Sequence, residues 1–161
     1  MPGATSEAIA DLDILIEAPQ WRAACPDIEG VVRGAACAAL ATRNLPESAV
    51  SILLADDAAI RVLNRQFRGS DKPTNVLSFA APAIGRKQFY GDVALGFETV
   101  ANEAREQGKL LSHHIQHLIV HGVLHLLGFD HETDSDANAM ESVETELLKS
   151  LGVPDPYRSS Q

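Results

Sequence analysis

The 161-residue chain has only two cysteines, Cys25 and Cys37, too few for a disulfide framework. Its opening, Met1 to Glu7, lacks the basic patch and apolar run of a secretory signal. No stretch reaches the roughly 18 apolar residues that span a bilayer, because His121 and His125 interrupt the best candidate. Internal repeats, low-complexity tracts and interdomain linkers are absent as well. These absences exclude a disulfide-stapled scaffold and a membrane helix, and lead us to expect a cytoplasmic protein with no membrane partner. An excess of basic charge is also missing. The net charge of −9 and a pI of about 5.0 argue against tight autonomous nucleic-acid binding, which needs a basic footprint.

The charge is unevenly spread. Between positions 60 and 88, Arg61, Arg65, Arg68, Lys72, Arg86 and Lys87 face only Asp71. From 110 to 148 there is no lysine or arginine, while Asp130, Glu132, Asp134, Asp136, Glu141, Glu144 and Glu146 accumulate. Such runs are ordinarily solvated faces; the functional alternative is a basic surface beside a metal site, suited to an anionic substrate.

With 45% hydrophobic and 22% charged residues, the chain has the composition of one globular domain, here taken as 1–161. Alternating or short apolar runs at Leu12 to Glu17, Ala49 to Leu54, Asn75 to Phe79 and Tyr90 to Leu95 predict four strands. Helical spacing predicts helices over Asp27 to Arg43, after an Asp56 cap, over Glu98 to Gln107, from a Ser112 cap to Leu127, and from about Ser135 to Leu151. Met140, Val143, Leu147 and Leu151 form the expected apolar stripe of the last. The expectation is an α+β domain, a mixed sheet of about four strands packed with about five helices. Strand order is not readable from this pattern.

All six histidines lie between positions 113 and 131. His121 and His125 are four apart, so a helix presents both on one face, where two unpartnered buried imidazoles would be costly. Gly128 permits a sharp exit from that helix, and the returning chain would bring His131 towards the pair. Three histidines with an open position make a catalytic zinc site, one ion per chain. Imidazole ligands favour zinc over magnesium or calcium, while nickel, copper and iron suit the same nitrogens. His117 is the one rival ligand, since His117, His121 and His125 also form an i, i+4, i+8 series. His113 and His114 read as surface residues or as partners behind the ligands. The zinc-protease pattern His-Glu-x-x-His would need glutamate at position 122, where this chain has glycine. Peptide hydrolysis is thereby weakened.

The phrase His121-Gly-Val-Leu-His125-Leu-Leu-Gly-Phe-Asp-His131 resembles the signature of the YbeY family of bacterial endoribonucleases and ribosomal RNA maturation factors. Leu63 to Arg68 with Lys72 to Phe79, Gly91-Asp92-Val93, and Asp155-Pro156-Tyr157 are similar to further segments of that family, in consistent order. Asn75 departs from its commoner aspartate, and Ala80 from a frequent proline. The resemblance implies zinc on His121, His125 and His131 and a functional arginine at Arg68. It also implies a role in small-subunit ribosomal RNA 3′-end maturation and ribosome quality control, with ribosomal RNA and ribosomal or assembly proteins as partners.

The chemistry is consistent with that implication. Zinc activates water and polarises phosphoryl oxygens, and a guanidinium such as that of Arg68 grips phosphate bidentately. On position alone, Arg68 is equally well a surface residue at a helix end. For the general base the alternatives stay open: no separate base, Asp92 or Asp130 assisting, or the RNA 2′-hydroxyl attacking. Asp130 is alternatively a partner orienting a ligand histidine, and Ser78 reads as structural. The rival functions are a non-catalytic assembly factor with structural zinc and a zinc hydrolase of peptides or small molecules.

Overall fold

The computed structural model describes residues 12–82, 89–130 and 132–157. The four expected strands form as β1 (Asp13–Ile16), β2 (Val50–Ala55), β3 (Val76–Ala80) and β4 (Gly91–Gly96). Their order in the sheet is β1-β2-β4-β3; β1, β2 and β4 run parallel, and β3 pairs antiparallel with β4. Parallel neighbours require crossovers, and helices supply them. The described residues hold six helices: α1 (Gln20–Ala24), α2 (Ile28–Ala41), α3 (Asp57–Arg68), α4 (Phe97–Gln107), α5 (Leu111–Leu126) and α6 (Asp134–Ser150), besides one 3-10 turn at Glu47–Ala49.

The α+β class, the mixed four-stranded sheet and a helix number close to five agree with the expectation, with one short helix more among the described residues. The additional helix, α1, is five residues long, below the length at which periodicity is readable. Tertiary contact holds it. Trp21 is wholly buried, donates from Nε1 to the Ala55 carbonyl at 2.9 Å, and packs edge-on against Phe97. The expected cap at Ser112 fails. The chain leaves α4 through Gly108 at φ 67°, and Leu110 then starts α5 without a side-chain cap, before the chain reaches Ser112. Thr133, rather than a residue nearer Ser135, caps α6 by accepting from the Asp136 amide. Asp56 caps α3 as its sequence position predicts, accepting from the Ala59 amide at 2.9 Å.

Strand alternation divides the sheet into two faces. Ile52 and Leu54 of β2 and Val93 and Leu95 of β4 point into the main core with Ile28, Val32 and Leu40 of α2 and Ile115, Ile119 and Leu124 of α5. On the opposite face α3 lays Ile60 and Leu63 over Ala55, Leu77 and Ala94. It does not cover the whole face: Leu15 of β1 is 56% exposed. Helix α5 is apolar over most of its circumference because it is enclosed by the sheet, α2 and α6. Its histidines occupy the stripe that remains.

Candidate metal centre

His121 and His125 lie one helical turn apart on α5, with ring centroids 5.2 Å apart and rings nearly perpendicular. His121 Nδ1 is 2.5 Å from Glu144 Oε2 of α6. With Nδ1 held by a carboxylate, ligation of an ion by this imidazole would run through Nε2. Glu144 is completely buried. It also accepts from the Tyr157 hydroxyl through Oε1, and lies 3.4 Å from His117 Nε2. Burial by itself pushes the Glu144 carboxyl up, but hydrogen bonds from His117, His121 and Tyr157 prevail and hold it at about 2. Glu144 is therefore an anion inside the protein. Tyr157 shifts oppositely, above the ordinary phenol range, through burial, its hydrogen bond to Glu144 and the charges of Glu144, Glu141 and Asp155.

Sequence reading missed Glu144, counting it only as one charge in an acidic run. The buried stripe of α6 is Met140, Glu144 and Leu148, while Val143, Leu147 and Leu151 are only partly buried. A glutamate at i+4 from one core residue and i−4 from another was the available signal, because a buried carboxylate requires donors around it.

The other histidines fall into distinct settings. His117 turns towards Glu144 and the Tyr157 hydroxyl, the latter 3.2 Å from its Nε2, and its Nδ1 has no partner among the described residues. His114, expected at the surface or behind the ligands, is in the core and bonds Glu103 at 2.8 Å; burial lowers its pKa below the ordinary value despite that carboxylate. Glu103 in turn accepts from Asn75 Nδ2 at 3.0 Å. The amide at position 75 thus supplies a donor that an ionised aspartate lacks. His113 lines a separate cleft formed by the α4–α5 connection and residues 153–156.

Gly128 has φ 106°, as the expected sharp exit from α5 requires, while the predicted third ligand, His131, lies outside the described residues. Asp130 accepts from the Glu132 amide at 3.2 Å, spending that oxygen on the local backbone. No three histidine, cysteine, aspartate or glutamate side chains converge as a metal cluster among the described residues. The pair that does converge fits a zinc-type donor set: two imidazoles at i, i+4, one oriented by a buried carboxylate.

Gly122 is equally telling. A Cβ there would lie 2.7 Å from Val93 Cγ1 and 3.2 Å from Ser78 Oγ, so position 122 points into the sheet. Ser78 donates to the Gly122 carbonyl at 3.0 Å, tying β3 to α5 at this point of close approach.

A cleft of about 1120 Å³ brings the expected residues together: His121, His125, Arg68, Ser78 and Asp92 all line it. Arg68, at the end of α3, donates to the Ser78 carbonyl and lies with Cζ 5.7 Å from the Phe79 ring centroid. Asp92 accepts from Ser51 on the cleft floor, whereas Asp130 does not line the cleft. The basic stretch is less basic than its composition implies. Arg61 pairs with Asp71 at 2.8 Å and Arg65 approaches it at 3.8 Å, while positions 86 and 87 lie outside the described residues. Arg68 is the basic side chain of this stretch that reaches the cleft among the described residues.

Comparison with known proteins places this geometry in a family. The family model described as Endoribonuclease YbeY matches residues 16–152. An Endoribonuclease YbeY of Paramagnetospirillum magneticum is 50% identical over 156 residues, covering 91% of this chain and 95% of that protein. One from Chelativorans sp. is 46% identical over 160 residues, covering 96% and 98% respectively. The solution structure of TM1509 from Thermotoga maritima shares the fold, with a TM-score of 0.57 and 24% identity over 91% of this chain and 99% of that one. The match to the family model over most of the chain, with relatives near half identical across nearly their whole length, makes this chain a member of the Endoribonuclease YbeY family.

Proposed function

We propose that this chain is a zinc-dependent, single-strand-specific endoribonuclease, one metal-dependent hydrolase domain acting in the cytoplasm on the 3′ end of small-subunit ribosomal RNA and in ribosome quality control. The observation that carries the reading is the opening of His121, His125 and Arg68 into one cleft in a member of this family. His121, His125 and His131 would hold the ion. When bound, zinc would supply Lewis acidity and activation of water for phosphodiester hydrolysis.

The protein's own residues do the rest. Glu144 fixes the ring plane of His121 and raises its basicity as a ligand. Arg68 offers a permanent cation for charge developing on non-bridging phosphate oxygens, and its stacking on Phe79 limits its rotamers. Asp92 is a carboxylate on the cleft floor, placed to assist as a base. Asp13 and Asp92 also line the cleft and the net charge is −9, so affinity for naked RNA is weak and salt-sensitive. Ribosomal or assembly proteins would then contribute to targeting. Peptide hydrolysis is disfavoured because position 122, the usual place of a protease's glutamate, faces Val93 instead of the cleft.

The test compares wild type, Arg68→Ala and His121→Ala on structured RNA at defined zinc content. Loss of cleavage in both variants, with Arg68→Ala keeping its zinc and fold, is the expected result. Equal trace cleavage by all three would identify a contaminating nuclease and end the proposal. Full zinc occupancy with no cleavage by wild type would instead favour an assembly factor with structural zinc.

A further inference from the structure

Helix α3 carries an apolar stripe, Ile60, Leu63 and Phe67, at helical spacing. The first residue is fully buried and the second partly so, but Phe67 is 64% exposed. It overhangs the cleft instead of entering the core, and it stands beside Arg68. Its ring meets that of Phe79 edge-on, with centroids 5.4 Å apart at 63°. The Arg68 guanidinium lies against Phe79 as well. An open aromatic ring, a second aromatic ring bracing it and a cation therefore share one wall of the cleft that holds His121 and His125.

The floor beside this wall has a different character. Strand register places Asp13, Ser51, Asp92 and Phe79 in one row across the sheet. Asp13 and Asp92 repel phosphate, while a carboxylate next to Phe79 accepts from donors such as ribose 2′-hydroxyls and exocyclic amino groups of bases. Phosphates are thus drawn to Arg68 in preference to the floor, and the base beside such a phosphate is left to lie against the aromatic wall.

We infer that Phe67, braced by Phe79, is a stacking subsite for one unpaired nucleobase of the RNA whose phosphate Arg68 holds. This rests on the proposed action on single-stranded RNA and deepens it. Stacking tolerates any base, since all present a π-face, but it demands an unstacked one; a base inside a duplex has its faces covered. Phe67 thereby contributes the single-strand preference, and does so without sequence specificity.

The test measures binding of a fluorescein-labelled 2′-O-methyl oligoribonucleotide to the zinc-supplemented protein by anisotropy, with oligonucleotide integrity checked afterwards. Phe67→Leu keeps an apolar side chain at an exposed position and should weaken binding about five- to tenfold, while Phe67→Trp should bind at least as well as wild type. The introduced indole should be quenched on binding, against the constant background of buried Trp21. A backbone with one abasic position, walked along the oligonucleotide, should lose a similar factor at a single position in wild type and nothing further there in Phe67→Leu. Wild-type affinity in Phe67→Leu, or abasic variants that all bind wild type equally, would overturn the inference. Cleavage is scored separately. If wild type cuts no RNA yet binding depends on Phe67, the subsite survives and the ribonuclease reading falls; if wild type cuts RNA and Phe67→Leu leaves both KM and affinity unchanged, the subsite falls alone.

Discussion

Replacing Gly122 with alanine asks whether the histidine-bearing helix lies close to the sheet because position 122 has no side chain. In an ordinary helix interior, glycine to alanine is stabilising by about 1 kcal/mol. Here the new Cβ would lie 2.7 Å from Val93 Cγ1 and 3.2 Å from Val93 Cγ2. Val93 is completely buried and β-branched within a strand, so it has little rotamer freedom with which to yield. Overpacking of this kind costs about 1–3 kcal/mol. Set against the helix gain, the net is a destabilisation of about 1 kcal/mol, or a Tm lower by about 2–4 °C for a chain of this size. The sign should reverse in a Val93→Ala background. That change alone loses about 1.5 kcal/mol of methyl burial and leaves a cavity, and Gly122→Ala would then fill space and regain about 1 kcal/mol. The coupling between the two positions is thus about 2 kcal/mol, within the range for contacting residues. Urea unfolding of the four proteins at one metal content, followed by far-ultraviolet circular dichroism and Trp21 fluorescence, measures it, with unchanged m-values as the control. If Gly122→Ala stabilises wild type by the ordinary helix increment, and equally in Val93→Ala, the close-approach argument is wrong.

Two further outcomes follow from the buried carboxylate. Glu144→Gln keeps the size of the side chain but replaces one acceptor oxygen with an NH2 donor facing the donors that now converge on it; zinc affinity, read by chelator competition, should fall about 10- to 100-fold, and unchanged affinity would detach Glu144 from the site. The Tyr157 phenol is held above its ordinary pKa, so a difference absorbance titration of wild type against Tyr157→Phe should show no native phenolate step near pH 10. The unfolded chain loses that proton near pH 10 while the folded chain keeps it, so this contribution to stability is complete below pH 10 and declines as pH rises further. An ordinary phenolate step in the native difference spectrum would contradict the Glu144–Tyr157 hydrogen bond.

The parts of the fold legible in the sequence were those governed by local rules. Asp56 starts a helix by accepting from the Ala59 amide with its side chain, and Gly108 ends one through its positive φ, both set within a few residues of chain. Imperfect alternation marked β1, and a short apolar run between Pro46 and Asp56 marked β2, which has residues of both faces buried. Ser112 misled because a serine caps only if the preceding chain enters from the right direction, and Leu110 starts the helix first. Helix α1 was missed because its stability comes from Trp21 reaching the Ala55 carbonyl, a partner 34 residues away.

The same division runs through the candidate site. Sequence alone determined that His121 and His125 share a helix face and that the turn after them needs a residue tolerant of positive φ, since both follow from helix geometry and the conformational freedom of glycine. Only tertiary structure decided what stands behind and opposite the pair. The packing of α6 on α5 selected Glu144 from an acidic run as the buried anion on His121, and turned His117 towards that anion. The antiparallel return of β3 beside β4, with α3 laid over them, brought Arg68 and Phe67 to the cleft of the two histidines. The residues so brought together stand 23 to 58 positions apart, where sequence spacing carries no angular information and only the order of strands and the choice of packed faces sets which of them share a site.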